Sequence, residues 1–205
     1  RLVSIFSVLG FLALSLFLVI KFPIKYDNSF EMFMLKDDPN IVRYENFRNL
    51  FGDSEYLSIG ITARDNDIDV FSSKTIKIIN EISSFLENHD VVSKVNSLSN
   101  YQYTHDDNGI MVTDNLFNDP ELLDNDSEIL KQAREIMVSE TLAHDRLITL
   151  DFKHTRILAR TEYIQNENAH KIKVSNDLYN FFKKQKYHLN GYKIRLGGGV
   201  IIAER

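Results

Sequence analysis

The sequence predicts an α+β chain: one membrane-spanning helix, then a domain whose antiparallel sheet is covered by helices. Three observations carry this reading. Leu2 to Ile20 contains no charged residue. Tyr56–Thr62 and Arg156–Tyr163 place apolar residues at alternate positions, the period of two that marks a half-buried strand. Each of these is followed by apolar residues at helical spacing and then by another short strand pattern.

At 205 residues and 23.8 kDa the chain has room for one ordinary domain and a small appendage. Residues 1–25 hold Arg1, Lys21 and Lys25 and no acid, which leaves 21 Lys and Arg against 29 Asp and Glu beyond them, a formal −8. A portion so acidic lacks the overall basic balance that nucleic-acid phosphates attract, so nucleic acid is set aside as a partner. With Cys 0 there is no disulfide framework, no thiolate metal site and no cysteine nucleophile. Three Pro, eight Gly and 43% hydrophobic residues fit a folded chain rather than a disordered or collagenous one.

As a helix, Leu2 to Ile20 extends roughly 28 Å at about 1.5 Å per residue, enough to cross a bilayer. A signal peptide has a shorter apolar core and a small-residue cleavage site, whereas Lys21-Phe22-Pro23 follows here, so an uncleaved span is expected. Flanking charge alone, Arg1 before and Lys21 with Lys25 after, favours a cytoplasmic C-terminal side, but the sequence opens on Arg1 rather than Met, so part of the N-terminal flank is expected to lie outside it and the count is set aside.

Beyond the span, Phe30, Met32, Phe33 and Met34 form an apolar knot near the membrane surface. Flexible Met beside Phe accommodates irregular apolar groups, which makes these four residues the candidate substrate-binding site; simple packing of the linker is the competing reading. Asp37-Asp38-Pro39 supplies a cap and a first-turn proline, predicting a helix over 39–51 that is stopped by Gly52. Ile41, Tyr44, Phe47, Leu50 and Phe51 are its expected inward stripe.

In the strand over 56–62, Leu57, Ile59 and Ile61 share one face, and Asp65-Asn66-Asp67 makes a turn. Ser72 or Ser73 caps a helix lined by Ile76, Ile79, Ile82, Phe85 and Leu86, which ends near His89-Asp90. Val91 to Leu98 is a second strand. Asn108-Gly109 within 101–112 predicts a two-residue hairpin, because both central positions of that turn need positive φ. Asp119-Pro120 opens another element, and Ser127 caps a helix with Ile129, Ala133, Ile136 and Met137 facing in. Residues 99–145 thus read as an insertion. Leu147–Leu150 and Arg156–Tyr163 flank a polar turn, a helix over 168–186 follows with Val174, Leu178, Phe181 and Phe182 inward, and Tyr192–Leu196 is the last strand. The order strand-helix-strand, insertion, strand-helix-strand is that of a ferredoxin-like split βαβ domain. It divides the chain into span and exit at 1–25, linker and capped helix at 26–54, and the sheet domain at 55–205. The first and third strands are expected to be neighbours at the sheet centre.

Few residues carry a chemical signature. His105-Asp106-Asp107-Asn108-Gly109 lacks the distal acid of a calcium loop and reads as a solvated turn. The six His show no HxxxH or HExxH spacing and are expected at the surface, so no metal site is assigned. Gly197-Gly198-Gly199 lacks the third glycine of a dinucleotide fingerprint and the Lys-Ser/Thr of a phosphate loop, and reads as a flexible exit from the last strand. No GxSxG or SxxK context marks a nucleophile. No catalytic residue and no cofactor follow from these residues, and the chain is not expected to be an enzyme.

A membrane span followed in order by Asp27-x-Ser29, Asp37-Asp38-Pro39, Tyr44-x-x-Phe47, Phe51-Gly52, a strand, an amphipathic helix, and Val91, Val95, Ser97, Leu98 and Asn100 resembles the resistance-nodulation-division (RND) exporters. The flavour is that of their lipid-exporting, MMPL-like branch. Leu147–Tyr163 and Tyr192–Gly199 also look like that family's porter hairpin and closing strand. The resemblance implies a proton-driven exporter of hydrophobic or lipid-like substrates in the cell inner membrane. This chain would supply its first helix and a periplasmic, ferredoxin-like porter subdomain. The implied partners are membrane lipids, the substrate, the remaining helices, the second porter loop and possible further copies of the chain. The family's proton carriers lie on later helices, and none corresponds to a position here. The rival reading from another class is a single-pass anchored, extracytoplasmic ligand-binding or sensor module.

Overall fold

A computed structural model describes residues 2–21, 38–51, 56–65, 68–124, 128–144, 146–162, 169–186 and 191–202. The chain is a mixed α/β protein with an N-terminal apolar helix, α1 (Leu2–Lys21), then α2 (Pro39–Phe51), β1 (Tyr56–Ala63), α3 (Ser73–Glu87) and β2 (Val92–Asn96). The hairpin β3 (Gln102–Asp107) and β4 (Ile110–Asn115), a 3-10 turn at Pro120–Leu122 and α4 (Glu128–Ser139) form the insertion. The chain returns through β5 (His154–Thr161), α5 (Ala169–Gln185), β6 (Tyr192–Gly197) and the short α6 (Gly199–Ile202).

Four strands form one sheet in the order β2-β5-β1-β6, with every neighbouring pair antiparallel. β1 and β5 are its central pair, as the alternation in both segments predicts. Period-two alternation sends Leu57, Ile59 and Ile61 of β1 to one face, where Ala159, Ile157 and Thr155 of β5 stand opposite them, all buried. Against this inner face lie the fully buried Ile76, Ile79, Ile82 and Leu86 of α3, and Val174 and Leu178 of α5 complete the same core. Each large apolar side chain so buried contributes roughly 1.5–3 kcal/mol before the entropy of ordering is charged against it. The two helices touch directly, the rings of Phe85 and Phe181 stacking at 4.4 Å.

Local chemistry fixes the ends. Ser72 caps α3, its Oγ accepting from the Thr75 amide at 3.2 Å. Thr75 also meets the buried Tyr192 hydroxyl at 3.0 Å, tying the start of α3 to the edge strand β6. After β2, Ser97 is a hub: its Oγ accepts from Ser83 at 2.9 Å, lies 3.0 Å from Ser99 and donates to Asn100 at 3.2 Å. Asn100 in turn donates to Glu87 at 2.7 Å and to the Val95 carbonyl at 3.0 Å. The Ser97–Asn100 stretch is thus a polar clasp between α3 and β2, buried at Ser97 and Ser99 and open to solvent at Asn100.

Four expectations are corrected. The hairpin that the resemblance implies over Leu147–Tyr163 has only its second strand, β5: Leu147–Leu150 is no strand, and Ile148 forms single bridges to His144 and Thr155. Here Thr149 and Asp151 satisfy one another and the local backbone, and Phe152 turns to φ 54. In α4, Leu130 is buried and Ile129 exposed, so the inward stripe is Leu130, Ala133 and Met137 with Ile136 at its margin. The glycine run after β6 is not a loose exit. Gly198 has φ +106, and a Cβ there would stand 2.0 Å from the Tyr56 carbonyl oxygen, so only glycine lets the chain pass β1 and enter α6. The fourth correction concerns α2.

Candidate membrane-proximal site

Asp38 and Pro39 start α2 as expected: the Asp38 carboxylate accepts from the Asn40 amide at 2.8 Å, and proline takes the first helical position. The stripe expected to face inward does not. Leu50 and Phe51 are 79% and 67% exposed, Val42, Tyr44 and Phe47 are exposed too, and only Ile41 is half-buried. The physical reason lies in the core, whose inner face is already closed by α3 and α5, so no α2 residue joins the buried cluster. Within α2 the Phe47 and Phe51 rings pair at 4.8 Å, and the Arg48 guanidinium lies 5.3 Å from the centre of the Tyr44 ring.

The segment Ser4–Lys21 of α1 is long and apolar enough to cross a membrane, and none of it is buried. Exposure distinguishes it from the core helix of a globular domain. The four candidate substrate residues, Phe30, Met32, Phe33 and Met34, lie outside the described residues. Their described flanks are α1 on one side and α2 on the other, two helices that both present apolar side chains outward. Apolar side chains exposed in such number on a helix mark a membrane, partner or ligand contact.

The remaining polar candidates resolve into structural roles. Asn108 and Gly109 take φ 54 and 86 in the predicted hairpin turn, and the Asp106 carboxylate accepts from the Gly109 amide at 2.9 Å. His105 stacks on Tyr103 with ring centres 5.2 Å apart. Among the described residues no group of three or more His, Asp or Glu side chains could hold a metal ion.

The expectation that the histidines lie at the surface fails twice. The His89 side chain is buried between Asp90 at 3.1 Å and Asp177 of α5 at 3.2 Å. Lys173, which bonds Asp90, holds that exposed carboxyl below its ordinary value and clamps α5 to the end of α3. His170 is buried in the first turn of α5, and neither ring nitrogen is hydrogen-bonded to a described residue. Its signal was present in the spacing, since His170, Val174 and Leu178 follow at four-residue intervals on one helix face. A further pair that motif reading missed is Tyr101 and Glu140: the phenol donates to the carboxylate at 2.6 Å, and burial first, then that bond, push the phenol up to about 12.

No family model matches the chain, and neither the curated proteins nor the solved structures contain a significant match.

Proposed function

We propose that this chain is the first membrane span and first extracytoplasmic porter subdomain of an RND-type exporter of hydrophobic or lipid-like substrates. The observation that carries the reading is the sheet: two strand-helix-strand units interleaved in the order β2-β5-β1-β6, directly after a membrane-length apolar helix. That interleaving supports the ferredoxin-like split βαβ arrangement, with the insertion of residues 99–145 between its halves. The exposed apolar faces of α1 and α2 on either side of Phe30, Met32, Phe33 and Met34 support an apolar entry point beside the outer leaflet. Energy coupling would come from ionisable groups on other helices, because Leu2 to Ile20 offers only apolar side chains and hydroxyls.

The test is export by the full-length protein carrying Met32→Ser and Phe33→Ser. Under this reading export falls several-fold while the amount of membrane-inserted protein is unchanged. Unaltered export would reduce the knot to linker packing. Sequencing the gene beyond Arg205 separates a single-pass sensor: the exporter reading predicts several closely spaced spans there, the sensor reading a second span followed by cytoplasmic signalling helices.

A further inference from the structure

The sheet face turned away from α3 and α5 is basic, although the whole chain carries a formal charge of −5. Register places its residues in rows. Lys94 of β2 stands opposite Arg160 of β5, which stands opposite Tyr56 of β1. Asn96, Leu158, Ser58 and Gly197 form the next row. Then Arg156 and Arg195 flank Gly60 from either side, and His154 and Lys193 flank Thr62. None of the four strands contains an acid; the nearest along the chain, Glu55, Asp65, Asp90, Asp151 and Glu162, all lie outside them.

Like charges directly across a strand pair cost stability, so Lys94 opposite Arg160 is not explained by folding. Lys94, Arg160, Lys193 and Arg195 form no ion pair with a described residue, and Lys94, Lys193 and Arg195 are exposed. Arg156 is held in place by its Nε donating to the Arg146 carbonyl at 2.6 Å. Gly60 leaves the face bare between Arg156 and Arg195, which sit two strand spacings, about 10 Å, apart. Packing does not demand that glycine, since a Cβ would meet nothing nearer than 3.8 Å.

We propose that this open face of the sheet docks on the anionic headgroups of the bilayer that α1 enters. Charge complementarity selects an anionic surface, and the tether selects the membrane. Seventeen residues, 22–38, separate α1 from α2, at most about 60 Å of chain, so the domain never leaves the neighbourhood of the lipid. Sheets that bind single-stranded nucleic acid stack bases on aromatic side chains in their middle strands. Here the middle of the face holds Ser58, Gly60, Arg156 and Leu158, and its aromatic Tyr56 sits at the end of β1. The acid elsewhere on the domain is screened beyond about 8 Å at physiological ionic strength, so the local face decides. The proposal rests on α1 crossing the membrane and is independent of the exporter reading.

These 205 residues contain no native cysteine. A fluorophore on Thr62→Cys therefore reports this face alone, and one on Asn108→Cys reports the hairpin tip. With the chain in nanodiscs, energy transfer to a headgroup dye is compared between pure phosphatidylcholine and discs containing phosphatidylglycerol. Docking predicts that transfer from position 62 rises in the anionic discs, more than from position 108, and collapses in 1 M salt. Neutralising the edge-strand pair Lys193→Gln and Arg195→Gln should lower the docked-to-free ratio by about 25-fold, roughly five-fold per charge, with the thermal melt unchanged. Lys94→Gln with Arg160→Gln is the second, independent variant. Equal transfer in both discs, or a rise that survives in both variants, would overturn the proposal. Abolition by inorganic phosphate at matched ionic strength would reassign the face to a free anion. Displacement from the disc by a single-stranded oligonucleotide would reassign it to nucleic acid.

Discussion

Ile59 and Ile157 stand directly opposite one another across the central strand pair of the sheet, and both are completely buried. An aspartate at position 59 would place a carboxylate among α3, β5 and β6 side chains with no partner, at a cost of several kcal/mol. Ile59→Asp should abolish the cooperative thermal transition of the sheet domain, whereas Ile59→Val should lower its stability by about 1 kcal/mol. A cooperative melt of Ile59→Asp at the parental temperature would show that the β1–β5 core is misassigned.

Gly198→Ala should destabilise strongly. Its new Cβ would lie 2.0 Å from the Tyr56 carbonyl oxygen at a φ that L-residues avoid, so β1 or the entry to α6 must shift. Gly197→Ala and Gly199→Ala meet nothing within 4 Å and serve as controls. Denaturant midpoints of the three variants decide it: equal losses would mean that the close approach at Gly198 does not exist.

The Tyr101 phenol, raised to about 12 by burial and by Glu140, links the base of the β3–β4 hairpin to the residue after α4. Because the folded value exceeds the ordinary one, the stabilisation is fully present below pH 10 and is lost as the pH rises through about 12. Tyr101→Phe should therefore be less stable than the parent near neutrality, by about 1 kcal/mol, and should lose less on going from pH 10 to 12. Parallel pH–stability curves for the two proteins would count against the Tyr101–Glu140 bond.

Leu50→Gln combined with Phe51→Gln should leave the melting of the sheet domain within about 0.5 kcal/mol of the parent, because both side chains are exposed. A buried stripe would instead cost several kcal/mol for the pair. Calorimetry of the double variant distinguishes the two directly.

The sheet and its covering helices were legible because each obeys one period. Leu57, Ile59 and Ile61 alternate, Ile76, Ile79, Ile82 and Leu86 recur at helical spacing, and Asn108-Gly109 announces its own turn. The orientation of α2 was not legible. Its apolar residues carry a helical period, yet whether a stripe is buried depends on what surface is left to bury it, and α3 and α5 had already taken the sheet. The hairpin implied over Leu147–Tyr163 lacks its first strand for a different reason: side-chain bonds from Thr149 and Asp151 compete locally with strand pairing. The basic face was written in the strands, with His154, Arg156 and Arg160 at even positions of one segment and Lys193 and Arg195 in another. Net charge concealed it, because a sum over the chain does not know which residues share a face.

The most direct test of a membrane-anchored, extracytoplasmic domain uses the absence of native cysteine in this chain. Asn108→Cys, at the hairpin tip, is placed in the full-length protein in a background without other cysteines. Right-side-out membrane vesicles are then treated with a membrane-impermeant maleimide, and the mass of the product is measured. The account predicts modification without permeabilisation, on a chain that retains Leu2–Lys21 and stays in the membrane through an alkaline wash. Modification only after permeabilisation, or release of a product lacking that helix, would contradict it.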